Sequence, residues 1–279
     1  VFRLADDRAN TPVMAFGYKE GSIFHDVRVR RGASMLIDRE ALMDFSWNLA
    51  DFAKEGIELP SRLHTANTAA DERFWLDPTD EAKIGRGARY HRLDLEEAAA
   101  LLRAAGMNGQ EVNLHLGAGA PPAENQAVAE MLNEGGYFRT KFVNHDSADY
   151  NNNFARNGGL HDGIIFRRAG GNADPDIHAI LYHKFSAFNI FPKPYPSFDD
   201  LLVQQRSEIS QEKRLDMWNE VQRRWAENVD FIAGPNPGLA LRLQLAWPQL
   251  RNFAALLPVS EKGTVETWTH YWYDKTKET

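Results

Sequence analysis

The chain has 279 residues, with 32 basic against 39 acidic side chains, a formal charge of −7 and no cysteine. Its 43 % apolar and 25 % charged residues exclude disorder on composition. The acidic balance speaks against nonspecific nucleic-acid binding, and the missing thiols remove disulfides, thiolate zinc sites and cysteine nucleophiles. At roughly 150 residues per domain the length suits one large or two small domains, and no apolar run approaches the ~18 residues of a membrane span.

The chain opens on Val1 rather than Met, and residues 1–10 carry charges of both signs with no apolar leader core, so it reads as a processed chain or an excised piece. Asp26 caps an expected helix through Leu36, and Asp38 restarts one over Arg39 to Trp47. The basic residues of this stretch, Arg28, Arg30 and Arg31 with Arg39 further on, read as a solvated helix face. Residues 56–92 hold Pro60, Pro78 and many polar residues with little periodicity, and read as a long surface excursion.

From Asp94 the pattern sharpens. Asp94 is an N-cap with Glu97 at the third helical position, and an apolar stripe from Leu95 to Ala105 is closed by Gly106. The alternation Val112, Leu114, Leu116 predicts a strand, Pro121 and Pro122 open a helix to about Asn133, and Thr140 to Asn144 is a second strand. Asp146 starts a helix to Arg156, and Asp162 to Arg167 is a third strand. Strand–helix–strand alternation predicts an α/β fold with a parallel unit. Asp174-Pro175-Asp176 places proline at the start of a helix expected to reach about Phe185, followed by a turn-rich stretch with Pro192, Pro194 and Pro196. Helices over Ser197 to Arg206 and Gln211 to Asn228 follow, and the tail from Phe231 reads as strand and loop.

Few side chains announce chemistry. His precedes Asp at His25, His145 and His161, but sequence neighbours diverge on helices and strands, so these pairs read as coincidence and local capping rather than assembled sites. His178 and His183 are five apart, not the four that would align two imidazoles for a metal. Gly117 and Gly119 follow a strand but lack the Lys and hydroxyl of a phosphate loop, and Pro121 and Pro122 remove two donors. No Gly-x-Ser-x-Gly elbow occurs, and Glu96 and Glu97 sit on a helix whose other face is core. The run Arg167-Arg168-Ala169-Gly170-Gly171-Asn172 is more suggestive. A strand ending in two arginines and a glycine turn brings guanidinium and bare backbone to a sheet edge, the place where open α/β sheets take ligands.

In this order the elements resemble the second half of the bacterial extracellular solute-binding proteins of family 5, the peptide/nickel-type receptors of ABC importers. The stretch from His25 to Leu42, HDVRVRRGASMLIDREAL, looks like the family's F-D-D-V-R-V-R-x-A-x-x-x-A-I-D-R-x-A-L segment, departing at Gly32. Tyr90 to Gly106 is similar to its Y-x-x-D-x-x-x-A-x-x-L-L-x-x-A-G helix. Asp146 to Tyr150, Leu160 to Gly163, Asp174 to Asp176, Phe198 to Leu202 and Lys213-Arg214 complete a collinear likeness from about residue 13 to 257.

The resemblance implies the second lobe of a type II periplasmic-binding-protein fold, with a parallel-rich sheet flanked by helices and hinge-crossing strands at both ends. It divides the chain into a hinge-crossing first part (1–24), a solute-binding lobe (25–229) and a return strand with part of the first lobe (230–279), the remainder lying upstream. It implies capture of a small solute, whether sugar, anion or peptide-like, and delivery to ABC permease subunits. It further implies a periplasmic or extracellular, membrane-associated parent, no cofactor and no catalysis. A lone lobe with hinge strands exposed would self-associate. In peptide-binding relatives the turn before Asp-Pro carries an acid for the peptide ammonium, preceded by an aromatic; here those positions are Gly171 and Arg168. The expected ligand site is therefore Arg156, Arg167, Arg168, Ala169, Gly170, Gly171 and Asn172, facing an anionic or hydroxyl-rich solute. The competing readings are a hydrolase using Asp and His near 145–162, which needs those side chains to converge, and a ligand sensor without transport.

Overall fold

The computed structural model describes residues 2–7, 11–58, 62–67, 73–169, 174–191, 196–234, 240–245, 249–251 and 272–277. In chain order the regular elements are β1 (Phe2–Asp7), β2 (Thr11–Phe16), α1 (Val27–Met35), α2 (Arg39–Trp47), α3 (Leu49–Lys54), α4 (Glu81–Ile84), α5 (Leu95–Ala104), β3 (Gln110–Leu116) and α6 (Ala123–Asn133). There follow β4 (Phe138–Asn144), α7 (Ser147–Asp149), β5 (Ile164–Ala169), α8 (Asp176–Ala179), α9 (Asp199–Gln205), α10 (Gln211–Asn228), β6 (Phe231–Ala233), β7 (Ala240–Leu245), β8 (Leu250–Arg251) and β9 (Trp272–Tyr273). They form two compact units, residues 9–238 and the two ends, 1–8 with 239–279. In the smaller unit β1 pairs antiparallel with β7, and β8 with β9.

The larger unit is built on a five-stranded sheet in the order β4-β3-β5-β2-β6. β4, β3 and β5 are parallel, while β2 runs antiparallel to both β5 and β6, so four of the five strands point one way. Helices cover both faces, as a mostly parallel sheet requires. One core gathers Met14, Phe16, Val112, Leu114 and Ile164 with α1, α5 and α6; the other gathers Val13, Ala15, Ile165 and Phe231 with Trp218 and Trp225 of α10.

Local capping explains where the helices start. Asp26, Asp38, Asp94 and Ser210 each accept from a backbone N–H in the first turn of the helix they precede. Gly32, the departure from the family-like segment, packs against α5: a Cβ there would stand 2.6 Å from Leu102.

Three expectations change. The basic stretch is not a solvated face, because Arg30 and Arg39 are buried. The Arg30 guanidinium donates to the carbonyls of Phe24 (2.8 Å), Asn228 (3.0 Å) and Val229 (3.1 Å). Those last two carbonyls end α10, whose C-cap Val229 holds a left-handed φ of 47°, unfavourable for a β-branched residue. Arg30 thus answers the orphan carbonyls and the negative end of the helix dipole together. Arg39 donates to the Ser34 and His91 carbonyls and the Ser34 hydroxyl, and burial pushes its pKa down to about 10. Replacing Arg30 by Met is expected to cost about 3 kcal/mol, since three carbonyls, two of them in buried bonds, lose a charged donor. A urea denaturation midpoint lowered at unchanged slope would show it.

The segment 56–92 is not a surface excursion throughout. His64, Thr65, Ala66, Asn67, Ile84, Ala88, Tyr90 and His91 are buried. The buried amide of Gln222 on α10 stitches it down, accepting from Thr65 Oγ1 (2.7 Å) and the Leu76 N–H (2.9 Å) and donating to the Phe74 carbonyl (2.9 Å). Finally, the helix expected from Asp174 to Phe185 stops at Ala179. Beyond it His183, Ser186 and Asn189 each take a backbone N–H two residues on, at 2.9–3.1 Å. Such side-chain-to-backbone bonds compete with helix continuation.

Candidate functional site

The far end of β3, the start of α7 and the turn before β5 meet on one side of the sheet. Along β3, Val112 and Leu114 enter the α1–α5 core, which leaves Asn113 and His115 on the opposite face. Asp146 caps α7 through the N–H groups of Ala148 and Asp149. The helix then widens into a π turn over Tyr150–Ala155, with Asn151 and Asn153 bonding back to Ser147 and Asp149. Such turns recur at functional sites. Gly163, at φ 67°, lets the chain pass so close to β3 that a Cβ would stand 2.0 Å from the Asn113 carbonyl oxygen.

This geometry brings together histidines and aspartates that are scattered in sequence. His145 Nδ1 lies 2.7 Å from Asp149 Oδ2, His145 Nε2 lies 2.9 Å from His115 Nδ1, and His115 Nε2 lies 3.5 Å from Asp162 Oδ1. Asn113 donates to the other Asp162 oxygen at 2.6 Å. The Phe154 ring covers both imidazoles, 4.1 Å from His145 and 4.4 Å from His115. His161 bonds through Nδ1 to the Asp162 carbonyl, and burial pushes its pKa down to about 4. Burial also lowers that of His115, against the pull of the Asp162 carboxylate. The His-Asp neighbours are local caps rather than assembled pairs, since Asp26 and Asp146 cap helices and, among the described residues, no imidazole meets the carboxylate of its own dipeptide; His145 and Asp162 instead come into one cluster through His115, which the sequence did not show. His115, Asp149 and Phe154 escaped the sequence reading, and the available signal was Asn113 and His115 alternating with the apolar Val112, Leu114 and Leu116 of β3.

The expected ligand residues divide. Arg156 ends the π turn, exposed, with its guanidinium 4.7 Å over the Phe188 ring. Arg167 is half-buried on β5, with Nε buried and without a hydrogen-bond partner. Burial and the neighbouring Arg156 charge lower its pKa, while Tyr150, itself pushed up to about 12 by burial, sits alongside and donates to the Phe166 carbonyl at 2.6 Å. Among the described residues neither arginine has a carboxylate partner. Arg168 and Ala169 continue β5 opposite Pro12 and Thr11 of β2; Gly170, Gly171 and Asn172 lie outside the described residues.

A surface cavity of about 540 Å³ is lined by Asp174, Asp176, Ile180, Gln205, Arg206, Glu208 and Arg214. Its cations are committed: Arg214 forks onto Asp174 at 2.6 and 3.0 Å, and Arg206 holds Asp176 at 2.9 Å. These pairs anchor Asp174 and Asp176, at the start of α8, to the end of α9 and to α10. Among the described residues no group of three or more His, Asp or Glu is placed to hold a metal ion, and no helix is long and apolar enough to cross a membrane.

No protein-family profile and no curated relative matches the chain. Solved structures do. AppA of Clostridium difficile, described as peptide-binding, superposes with a TM-score of 0.69 at 14 % identity, over 98 % of this chain and 52 % of its own. DppA of Helicobacter pylori, an ABC-transporter-associated periplasmic binding protein in complex with the peptide STSA, gives 0.67 at 17 %, over 98 % and 49 %. The murein tripeptide binding protein MppA of Escherichia coli gives 0.61 at 21 %, over 90 % and 46 %. The fold is that of a periplasmic-binding-protein lobe, as the sequence resemblance implied. The chain spans about half the length of the structures it matches.

Proposed function

We propose that this chain is the second lobe of the solute-binding component of a bacterial ABC importer, a binding protein rather than an enzyme. In this reading residues 25–229 carry the solute face, and the segments at either end run into the first lobe. The parent is periplasmic or extracellular and hands its solute to a membrane permease. Domain closure around the solute supplies the signal to the permease.

One observation carries the choice of solute. Arg156 and Arg167 sit within electrostatic reach of each other, and neither has an acid among the described residues. Two like charges held together, one with a buried unpaired donor, are costly unless an anion completes them. Neither Arg168 nor Gly171 offers a counter-charge for a peptide ammonium. The solute is therefore one with an anionic or hydroxyl-rich face rather than a standard di- or oligopeptide. Native mass spectrometry of the whole protein as purified is expected to show a sugar, anion or chelate. Arg167→Gln and Arg156→Gln should each weaken its affinity about ten-fold or more, the worth of a charge-assisted hydrogen bond. A retained peptide, or unchanged affinity in both variants, overturns the assignment.

A further inference from the structure

The carboxylate–imidazole–imidazole–carboxylate chain has a definite proton count. Asp149 accepts from His145 Nδ1, which makes His145 Nε2 a lone pair; that lone pair in turn takes the Nδ1 proton of His115. With both rings neutral, the two available protons are then used, and His115 Nε2 is left as a bare lone pair facing Asp162 Oδ1 at 3.5 Å. His115 Nε2 is buried and has no hydrogen-bond partner. An added proton fits in that gap, between His115 Nε2 and Asp162 Oδ1. It would turn a repulsive nitrogen–oxygen approach into an ion pair and complete an unbroken run from Asp162 to Asp149. Asn113, holding the second Asp162 oxygen, keeps the carboxylate aimed.

This position adjoins the arginine pair. His115 stands opposite Ile165 in the β3–β5 ladder, and Arg167 follows two residues along β5 on the same face, about 7 Å away along the strand. The short helical stretch between the two groups adjoins both: it carries Asp149 and Phe154 against the imidazoles and brings Tyr150 and Arg156 within electrostatic reach of Arg167. The titratable groups set against the imidazoles are Asp149 from that stretch and His161 and Asp162 from the turn before β5, while Tyr150 and Arg156 surround Arg167.

We propose that His115 and His145 form a one-proton site linked to the anion site, so that protonation of His115 tightens the hold of Arg156 and Arg167 on an anion. The inference rests on the reading of those arginines as the solute contact and adds its regulation. The sign follows from charge: one more cation on the same sheet face attracts an anion. Linkage is reciprocal, so a bound anion raises the proton affinity of His115 by the same factor. Because burial lowers the His115 pKa and the Asp162 carboxylate opposes it, the response falls on the acid side of the ordinary imidazole range.

The test uses the full chain with sodium sulfate as the anion probe, titrated calorimetrically at pH 7.5 and pH 5.0 at fixed ionic strength. Imidazole ¹⁵N spectra are followed over the same range. Sulfate affinity should rise about five-fold on acidification, the size of one added charge roughly 10 Å away in a partly solvated site. In the spectra His115 Nε2 should gain the proton while His145 Nδ1 keeps its bond. In His115→Gln, whose amide can still donate to His145, the five-fold gain should vanish. In Asp162→Asn the ring remains but the His115 titration should move to lower pH, which serves if the first variant does not fold.

Sulfate bound equally at both pH values, with His115 titrating, overturns the linkage and leaves the arginine site standing. Protonation elsewhere, with His115 neutral at pH 5.0 in the presence of sulfate, also overturns it. No sulfate binding at either pH overturns the arginine reading itself, and this inference with it.

Discussion

Gly163→Ala is expected to cost at least about 4 kcal/mol, seen as a collapse of the urea midpoint or failure to fold. Two independent penalties add. A Cβ at this position would stand 2.0 Å from the Asn113 carbonyl oxygen, which is backbone of the central parallel strand and has no flexible end to swing away. The residue also holds a left-handed φ of 67°, which costs any residue with a Cβ about a further 1 kcal/mol. Relieving the clash means prying β5 from β3 at Leu114–Ile164, the pairing that joins the two halves of the sheet. It also separates Asp162 from Asn113 and His115. A loss below about 1 kcal/mol would show that the two strands do not approach as described.

Acidification is expected to unfold the larger unit between about pH 6 and pH 3, mainly through buried neutral histidines. His91 stacks on Trp225 at 4.3 Å and bonds the Ala226 carbonyl through Nε2; burial, then the Arg39 charge, push its pKa down to about 3. His161 is held down to about 4 by burial. Each imidazole has a folded pKa below its unfolded value near 6.5, so its stabilising contribution is complete above that value and is lost as pH falls toward the folded one. At 1.36 kcal/mol per pH unit the two together amount to roughly 8 kcal/mol, comparable to the whole stability of a domain. Asp230 works in the opposite direction: burial raises its pKa to about 6, so the strain of its buried charge is relieved as pH falls from 6 toward 4. With Asp230 offsetting one of the two imidazoles, the net loss from pH 6 to pH 4 should run at about one proton, roughly 1.4 kcal/mol per pH unit. His91→Gln should lower stability at pH 8 yet flatten its fall between pH 6 and pH 4. A parallel downward shift at every pH would show that His91 does not titrate with unfolding.

Much of the architecture could be read locally. Asp26, Asp38, Asp94, Asp146 and Ser210 sit at the starts of their helices because a short side chain placed one residue ahead of an amphipathic run can reach the free N–H groups, and nothing distant is needed. The strand around Val112 follows from alternation, those around Thr140 and Ile164 from short β-prone runs, and the strand–helix–strand order implies their parallel pairing.

What required the folded chain depends on partners far apart in sequence. Arg30 and Arg39 look like any exposed basic residues until α10 brings its carbonyl end to one and the His91 carbonyl closes over the other. The same holds for Gln222, whose amide binds a segment with no periodicity of its own. The site divides along the same line. Arg167 could be proposed from the sequence because a strand end and a glycine-rich run are local features, and Arg156 only through the resemblance to a known family. The run from Asp162 through His115 and His145 to Asp149 could not, because it spans three segments whose meeting depends on the β3–β5 register and on one glycine. Local sequence determines backbone direction, capping and which face is apolar; which buried polar groups answer one another is decided by packing, since a donor's partner is set by position in space and not by separation along the chain.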